Sequence, residues 1–469
     1  MFIQTLRQNK IISKICSFFD SPYYSLSIGV FVIVIHMLGW ELVGFAVLAI
    51  CICFTNLFAS DTRSAIVPLF LISLVMAQQD SSQSVSDRFL SAHMLITLII
   101  LGVLLISTAV LRLIIDKKFK RLFTKTRLLY GFIALSASLL LGGIFSKTNM
   151  AESLMISGSL TLTGLVFYVF FSSTMEHRDD NITYLCKAAA VAAGVIIFEL
   201  AWLYILKYEK GTTFDYAWKG KIVFGWGISN VIGELLAFLL APIFYLAFTE
   251  RHGWLYYELA VADMVAVFFT LCRNALLFGV LLFVLCTVLC IIKGKNSLGV
   301  SISASVVVIA LLFAVVLRFD ADSVKHVFAF FTDRKLSDSG RFALWKEYFG
   351  RFKSYPIFGT GFATLSALDY SNMLAHNTIF QIMGSCGIVG LGAYLYHRFE
   401  TMMIYLKKPT FARSFLGISV FSFLLMALLD PIFFYAHFII YYTLILVVSE
   451  KEADYTLKTL FNTNFSHRI

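Results

Sequence analysis

The sequence predicts an all-α polytopic membrane protein of twelve to fourteen transmembrane helices, with one long extracytoplasmic loop carrying short helices. Three observations lead there. Of 469 residues, 59% are hydrophobic and only 14% charged, whereas soluble domains carry about 25% charge and about half apolar residues. Apolar runs long enough to cross a bilayer recur from end to end. The basic residues gather in alternate loops between those runs. A soluble chain of this length would split into several domains. The unbroken recurrence instead makes residues 1–469 one membrane domain, and the 47 Phe suit a lipid-facing surface.

A spanning helix needs about 20 apolar residues. Candidate spans are 22–39, 41–58, 64–79, 89–115, 129–146, 152–173, 182–206, 229–248, 254–272, 274–292, 298–317, 378–396, 413–429 and 432–448, of which the third and the last two are short. The first follows a basic stretch and has no small-residue cleavage site, so it is expected to be retained. Lys and Arg concentrate in cytoplasmic loops. With Arg7, Lys10 and Lys14 placed in the cytoplasm, the cytoplasmic side also takes Lys117, Lys118, Lys120, Arg121, Lys125 and Arg127, then Lys293 and Lys295, then Lys407, Lys408 and Arg413. Opposite loops such as 78–86 are poor in base, and an even number of spans returns the tail, 449–469, to the cytoplasm. These loops account for the net charge of +10, so nucleic acid is not an expected partner. The eight cysteines lie mostly inside apolar runs and none lies in the long polar loop, which argues against disulfides and a thiolate metal site. No cofactor is expected.

Two loops on the other side are long, 207–226 and 318–377. Loops of such length in a compact protein are usually functional. The second carries Lys325, Arg334, Lys335, Arg341, Lys346, Arg351 and Lys353. Long loops escape the charge rule, but this much base still needs a reason.

Three residues in and near that loop carry the chemistry. Arg341 opens a stretch in which Phe342, Trp345, Phe349 and Phe352 recur at helical spacing. A short amphipathic helix on the membrane surface is predicted, with Trp345 at headgroup depth, ending in the turn Tyr355–Gly361. Arg341 could equally serve only to solvate that helix. His376 and Asn377 abut the span that starts at Thr378, where Asn377 can act as helix cap. Helix N-termini carry partial positive charge, which disfavours protonation of an adjacent imidazole, and the neutral ring is the form a general base needs. The alternative is an interfacial His that only hydrogen-bonds. Gly384, Gly387, Gly390 and Gly392 in the following span allow close packing and a fixed helix start. Arg273 stands at a junction between two apolar runs, where an Arg is costly and usually has a partner or a task. Its planar fork suits phosphate oxygens, although a helix-end Arg can also merely snorkel.

Two guanidiniums and one neutral imidazole at one membrane face suggest a phosphate-bearing, lipid-anchored donor clamped by arginines while His376 deprotonates a hydroxyl. Arginines can stabilise a leaving pyrophosphate without a metal. Against that, Asp320-Ala321-Asp322 spells a pair of carboxylates able to hold magnesium, or simply a solvated loop start. The remaining charges in or beside spans are Glu41, Glu199, Glu234, Asp263 and Asp430. Glu234, one turn after Asn230, and Asp430, in Leu429-Asp430-Pro431, lie toward the outer side, and either could pair with an active-site arginine or form a purely structural ion pair.

From Phe224 to Val448 these features resemble the O-antigen ligase and polymerase superfamily of membrane glycosyltransferases. Gly225-Trp226-Gly227-Ile228-Ser229-Asn230 with Ala241-Pro242 resembles the family's glycine, asparagine and proline stretch. Cys272-Arg273-Asn274 resembles its Ser-Arg-Gly segment with both flanking residues replaced. Gly340-Arg341 with Trp345 and Pro356–Gly361 resembles its Arg-to-Trp and Pro-x-x-Gly-x-Gly stretch, and Ala375-His376-Asn377 with Gly387–Gly390 resembles its His-Asn helix start. The resemblance implies metal-independent transfer of a glycan from undecaprenyl pyrophosphate to an acceptor hydroxyl, with inversion, at the outer face of the bacterial cytoplasmic membrane. It implies pyrophosphate contacts for Arg273 and Arg341, and for His376 the base or acceptor-orienting role. Asn377, Asn230, Glu234, Trp345 and Asp430 are then expected to line the substrate site. Partners would be the lipid-linked donor, a glycan or lipid-linked acceptor and the bilayer. The chain would divide into 1–223, read from hydropathy alone, the ligase-like 224–448 with its loop 318–377, and the tail 449–469. A polymerase is favoured, because nothing points to a protein or lipid-core acceptor. A ligase is the alternative within the family. A transporter or flippase would predict inverted repeats and midplane ionisable groups, and no repeat is evident. A cell-envelope scaffold would not need His376 or Arg273.

Overall fold

The computed structural model describes residues 2–76, 92–123, 126–147, 149–207, 216–224, 227–316, 340–362, 374–407 and 410–466. In chain order the helices are α1 (Phe2–Arg7), α2 (Lys10–Phe19), α3 (Pro22–Leu38), α4 (Glu41–Phe58), α5 (Ile66–Leu71), α6 (Ala92–Ile115), α7 (Arg127–Ile144), α8 (Met150–Thr161) and α9 (Phe167–Thr174). They continue as α10 (Asn181–Lys207), α11 (Tyr216–Lys221), α12 (Ser229–Thr249), α13 (Gly253–Phe269), α14 (Arg273–Lys293) and α15 (Ser297–Val316). The last four are α16 (Arg341–Ser354), α17 (Thr378–Leu406), α18 (Phe411–Met426) and α19 (Ala436–Ser466). A two-residue ribbon, β1 (Val223–Phe224) antiparallel to β2 (Gly227–Ile228), leads into α12. The protein is an all-α multi-pass membrane protein.

Among the described residues, each of the fourteen expected spans overlaps helix, the third only as far as Leu74. Among the described residues, however, eight helices are long and apolar enough to cross a membrane, or nine with one bent pair counted as a span. Part of the difference has local causes. The third expected span is a broken piece, Arg63–Leu74, made of 3-10, α and 3-10 turns. α13 has 17 residues and α18 has 16. The bent pair is α2 and α3, at 74° to each other. α2 buries none of its residues. Its wheel puts Lys10, Ser13, Lys14 and Ser17 on one side and Ile11, Ile12, Ile15, Phe18 and Phe19 on the other, the pattern of a helix lying in a membrane interface.

The chain forms two compact units. The first comprises Met1–Arg112 with Thr183–Arg334. Its centre is α12, buried continuously from Val231 to Ala247 and packed on α13 and α14. A helix apolar all round belongs inside a bundle, and α12 has almost no polar side chain other than Glu234 in that stretch.

The second unit comprises Leu113–Ile182 with Lys335–Ile469. Here α7 runs along α17, α8 packs on α7, and α16 lies on α17. α17 is broken at Gly387, whose φ of 64° and ψ of −156° interrupt the helix. Glycine is required there: the backbone is in a region open essentially to glycine alone, and a Cβ would lie 2.3 Å from the Ile357 carbonyl oxygen.

Candidate active site

The break in α17 orders the turn that precedes it. A broken helix frees backbone groups that must find partners. The turn Pro356–Gly361 supplies them. The Ile388 and Val389 amides donate to the Pro356 and Ile357 carbonyls at 2.8 and 3.3 Å, and the Thr360 and Gly361 amides donate to the Gly384 and Ser385 carbonyls at 2.9 and 3.0 Å. Gly359, at φ +70°, passes so close that a Cβ would lie 2.4 Å from the Ser385 carbonyl carbon. The glycine motifs of the Pro356–Gly361 turn and of α17 are therefore halves of one backbone contact, and they fix α16 against the N-terminal half of α17.

α16 begins at Arg341, the first helical residue, after Gly340 in the left-handed conformation (φ 70°). The helix was expected at the membrane surface, with Phe342, Trp345, Phe349 and Phe352 recurring along it. It buries Leu344 and Tyr348 against α17 and leaves Phe342 and Phe349 exposed. The helix carries two apolar stripes, and the bulky Phe stripe is the one left for its surroundings. Trp345 sits between them and stacks on Phe380 in the first turn of α17, with centroids 5.5 Å apart and planes at 14°.

The start of α17 is held from several directions. Asn377 Oδ1 accepts from the Ile379 and Phe380 amides at 2.9 and 3.1 Å, which is an N-cap. Its Nδ2 donates to the Leu428 carbonyl at 2.7 Å, and the Thr378 amide donates to the Ala427 carbonyl at 2.8 Å. The Asn377 side chain is thus occupied with backbone. These bonds draw the segment after α18 to the helix start, and Asp430 comes with it.

Asp430 is the centre of the site. Only 3% of it is exposed. Its Oδ1 lies 3.1 Å from His376 Nδ1 and its Oδ2 lies 3.7 Å from Arg341 Nη2. A carboxylate bonded to Nδ1 holds the proton there and leaves Nε2 as the lone-pair nitrogen. The His376 side chain is 34% exposed, so the ring has a buried edge and an accessible one. His376 also adopts φ 48°, a conformation uncommon outside glycine. Such local strain persists where surrounding contacts impose it.

Arg273, Asn230 and Glu234 belong to the first unit. Arg273 is the first residue of α14, after Leu271 at φ 56° turns the chain out of α13. That corner is tied by the Cys272 amide to Thr270 Oγ1 at 3.3 Å and by Lys219 Nζ to the Leu271 carbonyl at 2.9 Å. Next to Arg273, Asn274 Nδ2 donates to the fully buried Glu234 Oε1 at 2.5 Å. Asn230 is half-buried and, with Lys219, Gly220, Val223, Ile228 and Ser229, lines a pocket of about 280 Å³.

All three candidate catalytic residues thus stand at helix starts. Arg273 and Arg341 occupy first helical positions and His376 precedes a cap. The helix dipole makes such positions favourable for anions and costly for cations. A guanidinium there adds its own positive charge to that of the helix end, and the pair together attract an anion strongly. Asp320 and Asp322, Gly225 and Trp226, and the loop bases Lys325, Arg334 and Lys335 lie outside the described residues. Among the described residues no group of three or more His, Cys, Asp or Glu could hold a metal ion.

Fold and site together define a multi-pass helical membrane protein in which one buried carboxylate joins the starts of α16 and α17. Residues 259–395 match the model of the O-antigen ligase family, supporting the O-antigen ligase and polymerase superfamily and indicating an enzyme of the ligase or polymerase type. The match includes Arg273, Arg341, Trp345, His376 and Asn377, and excludes Asn230, Glu234 and Asp430. No curated protein matches the chain.

Proposed function

We propose that the protein transfers a glycan from undecaprenyl pyrophosphate to an acceptor hydroxyl at the outer face of the bacterial cytoplasmic membrane, extending a cell-surface polysaccharide. The observation that carries this reading is Asp430 bridging His376 and Arg341. It joins a base to an anion-binding group through one buried carboxylate. The acceptor hydroxyl gives its proton to His376 Nε2, and its oxygen forms the new bond to the anomeric carbon. The bond from that carbon to the pyrophosphate oxygen breaks, and the electron pair leaves with undecaprenyl pyrophosphate. Attack from the side opposite the leaving group inverts the anomeric centre. Asp430 orients the imidazole and balances the imidazolium formed in the step, as a carboxylate does in other His-dependent transfers. Arg341 takes charge developing on the pyrophosphate. Arg273 stands at a helix start of the same kind, and the family resemblance assigns it the same task.

Two permanent cations can supply the charge stabilisation that a metal would otherwise give, so the transfer is proposed to need no metal. The alternation of basic loops supports cytoplasmic N- and C-termini.

The test uses the purified full chain in lipid nanodiscs with a defined lipid-linked oligosaccharide. A ladder of products is expected with the wild type and none with His376→Ala. A single added unit on a different acceptor would make the protein a ligase instead. Normal ladders from folded His376→Ala would remove the general-base role. Loss of activity in EDTA with recovery in magnesium would overturn metal independence and bring Asp320 and Asp322 forward.

A further inference from the structure

Gln381 lies one turn into α17 and is fully buried. Its Oε1 accepts from the amide of Ala375, the residue before His376, at 2.7 Å. Its Nε2 donates to Ser385 Oγ at 3.0 Å, and the side chain is also hydrogen-bonded to Tyr348. Tyr348 is fully buried on α16, two turns beyond Arg341 and on the same side of the helix. Burial raises the Tyr348 phenol above its ordinary value, so the group meeting Gln381 is the neutral hydroxyl. One amide therefore touches both the turn that presents His376 and the helix that presents Arg341. Of these two, the His376 turn sits at φ 48° and needs outside contacts to stay there.

We propose that Gln381 is a positioning residue that holds His376 and Arg341 in a common register, so that base and anion-binding group face one donor together. This rests on the roles assigned to His376 and Arg341 above. Gln suits the task because it accepts through one atom and donates through another. Met fills a similar volume with neither ability, and Glu keeps an acceptor for the Ala375 amide.

The experiment measures kcat and donor KM for Gln381→Met and Gln381→Glu, with thermal unfolding in detergent as the folding control. A shift of about 1 Å in a reacting group costs about 100-fold in rate. Gln381→Met is expected to lose kcat on that scale with donor KM within about threefold. Gln381→Glu should recover part of the loss. Folded Gln381→Met with wild-type kcat overturns the proposal. Should Gln381→Met fail to fold, Tyr348→Phe carries the test: a several-fold fall in kcat at unchanged KM supports the proposal and a wild-type kcat overturns it. An active His376→Ala protein would remove the general-base role on which this inference rests. A dead His376→Ala beside a fully active Gln381→Met sinks this inference alone.

Discussion

His376 Nδ1 and Asp430 Oδ1 stand 3.1 Å apart although 54 positions separate them in the chain. The contact exists because the start of α17 borrows the Ala427 and Leu428 carbonyls as partners. Asp430 follows two residues later. A helix-capping arrangement therefore delivers the carboxylate that orients the imidazole.

Replacing Asp430 by Asn keeps the size and removes the charge. The imidazole loses its fixed tautomer and the imidazolium loses its counter-charge, so kcat should fall about 10²–10⁴-fold. Donor KM should not rise, because Arg341 is released from its ion pair. Steady-state kinetics with a lipid-linked donor measure both quantities. An unchanged kcat in folded protein would show that Asp430 serves structure only.

Arg341→Lys and Arg273→Lys each keep a positive charge but lose the planar fork that matches phosphate oxygens. Each should raise donor KM by about tenfold, corresponding to about 1.4 kcal/mol, and the Ala variants should raise it further. Equal KM values for Arg and Lys at either position would mean that charge alone is read there.

Gly387→Ala tests the break in α17. Its φ of 64° and ψ of −156° are closed to alanine, and the added Cβ would press on Ile357, whose carbonyl is held by the Val389 amide. Backbone strain of this kind costs about 1–3 kcal/mol. A lower Tm in detergent, with activity falling in parallel, is the expected outcome. An unshifted Tm would mean that α17 can straighten without loss.

Much of this architecture was legible in the sequence. Among the described residues each apolar run overlaps helix, because hydrocarbon leaves the backbone little alternative, although only eight or nine of the helices are long enough to cross. Asn377 announced a helix start through its cap chemistry. Hydropathy did not reveal the 74° bend between α2 and α3 or the break at Gly387, because both depend on backbone angles rather than polarity. The face by which α16 packs on α17 was not legible in the sequence, because it depends on the space beside Gly384, which takes Tyr348. The partners of Asp430 could not be fixed, since nothing local to Leu429-Asp430-Pro431 points to residues 376 and 341. Gln381 was missed altogether. A lone amide at the head of an apolar span was its only signal.

The shortness of α18 bears on where this chemistry sits. Sixteen residues of helix reach about 24 Å, against about 30 Å of hydrocarbon in a typical bilayer. A span shorter than the hydrocarbon is accommodated by local thinning of the bilayer, by snorkelling of its flanking residues or by association with neighbours. Asp430 comes just after that helix. On the proposed function, thinning there would bring the headgroups, and a lipid-linked phosphate among them, nearer to the carboxylate.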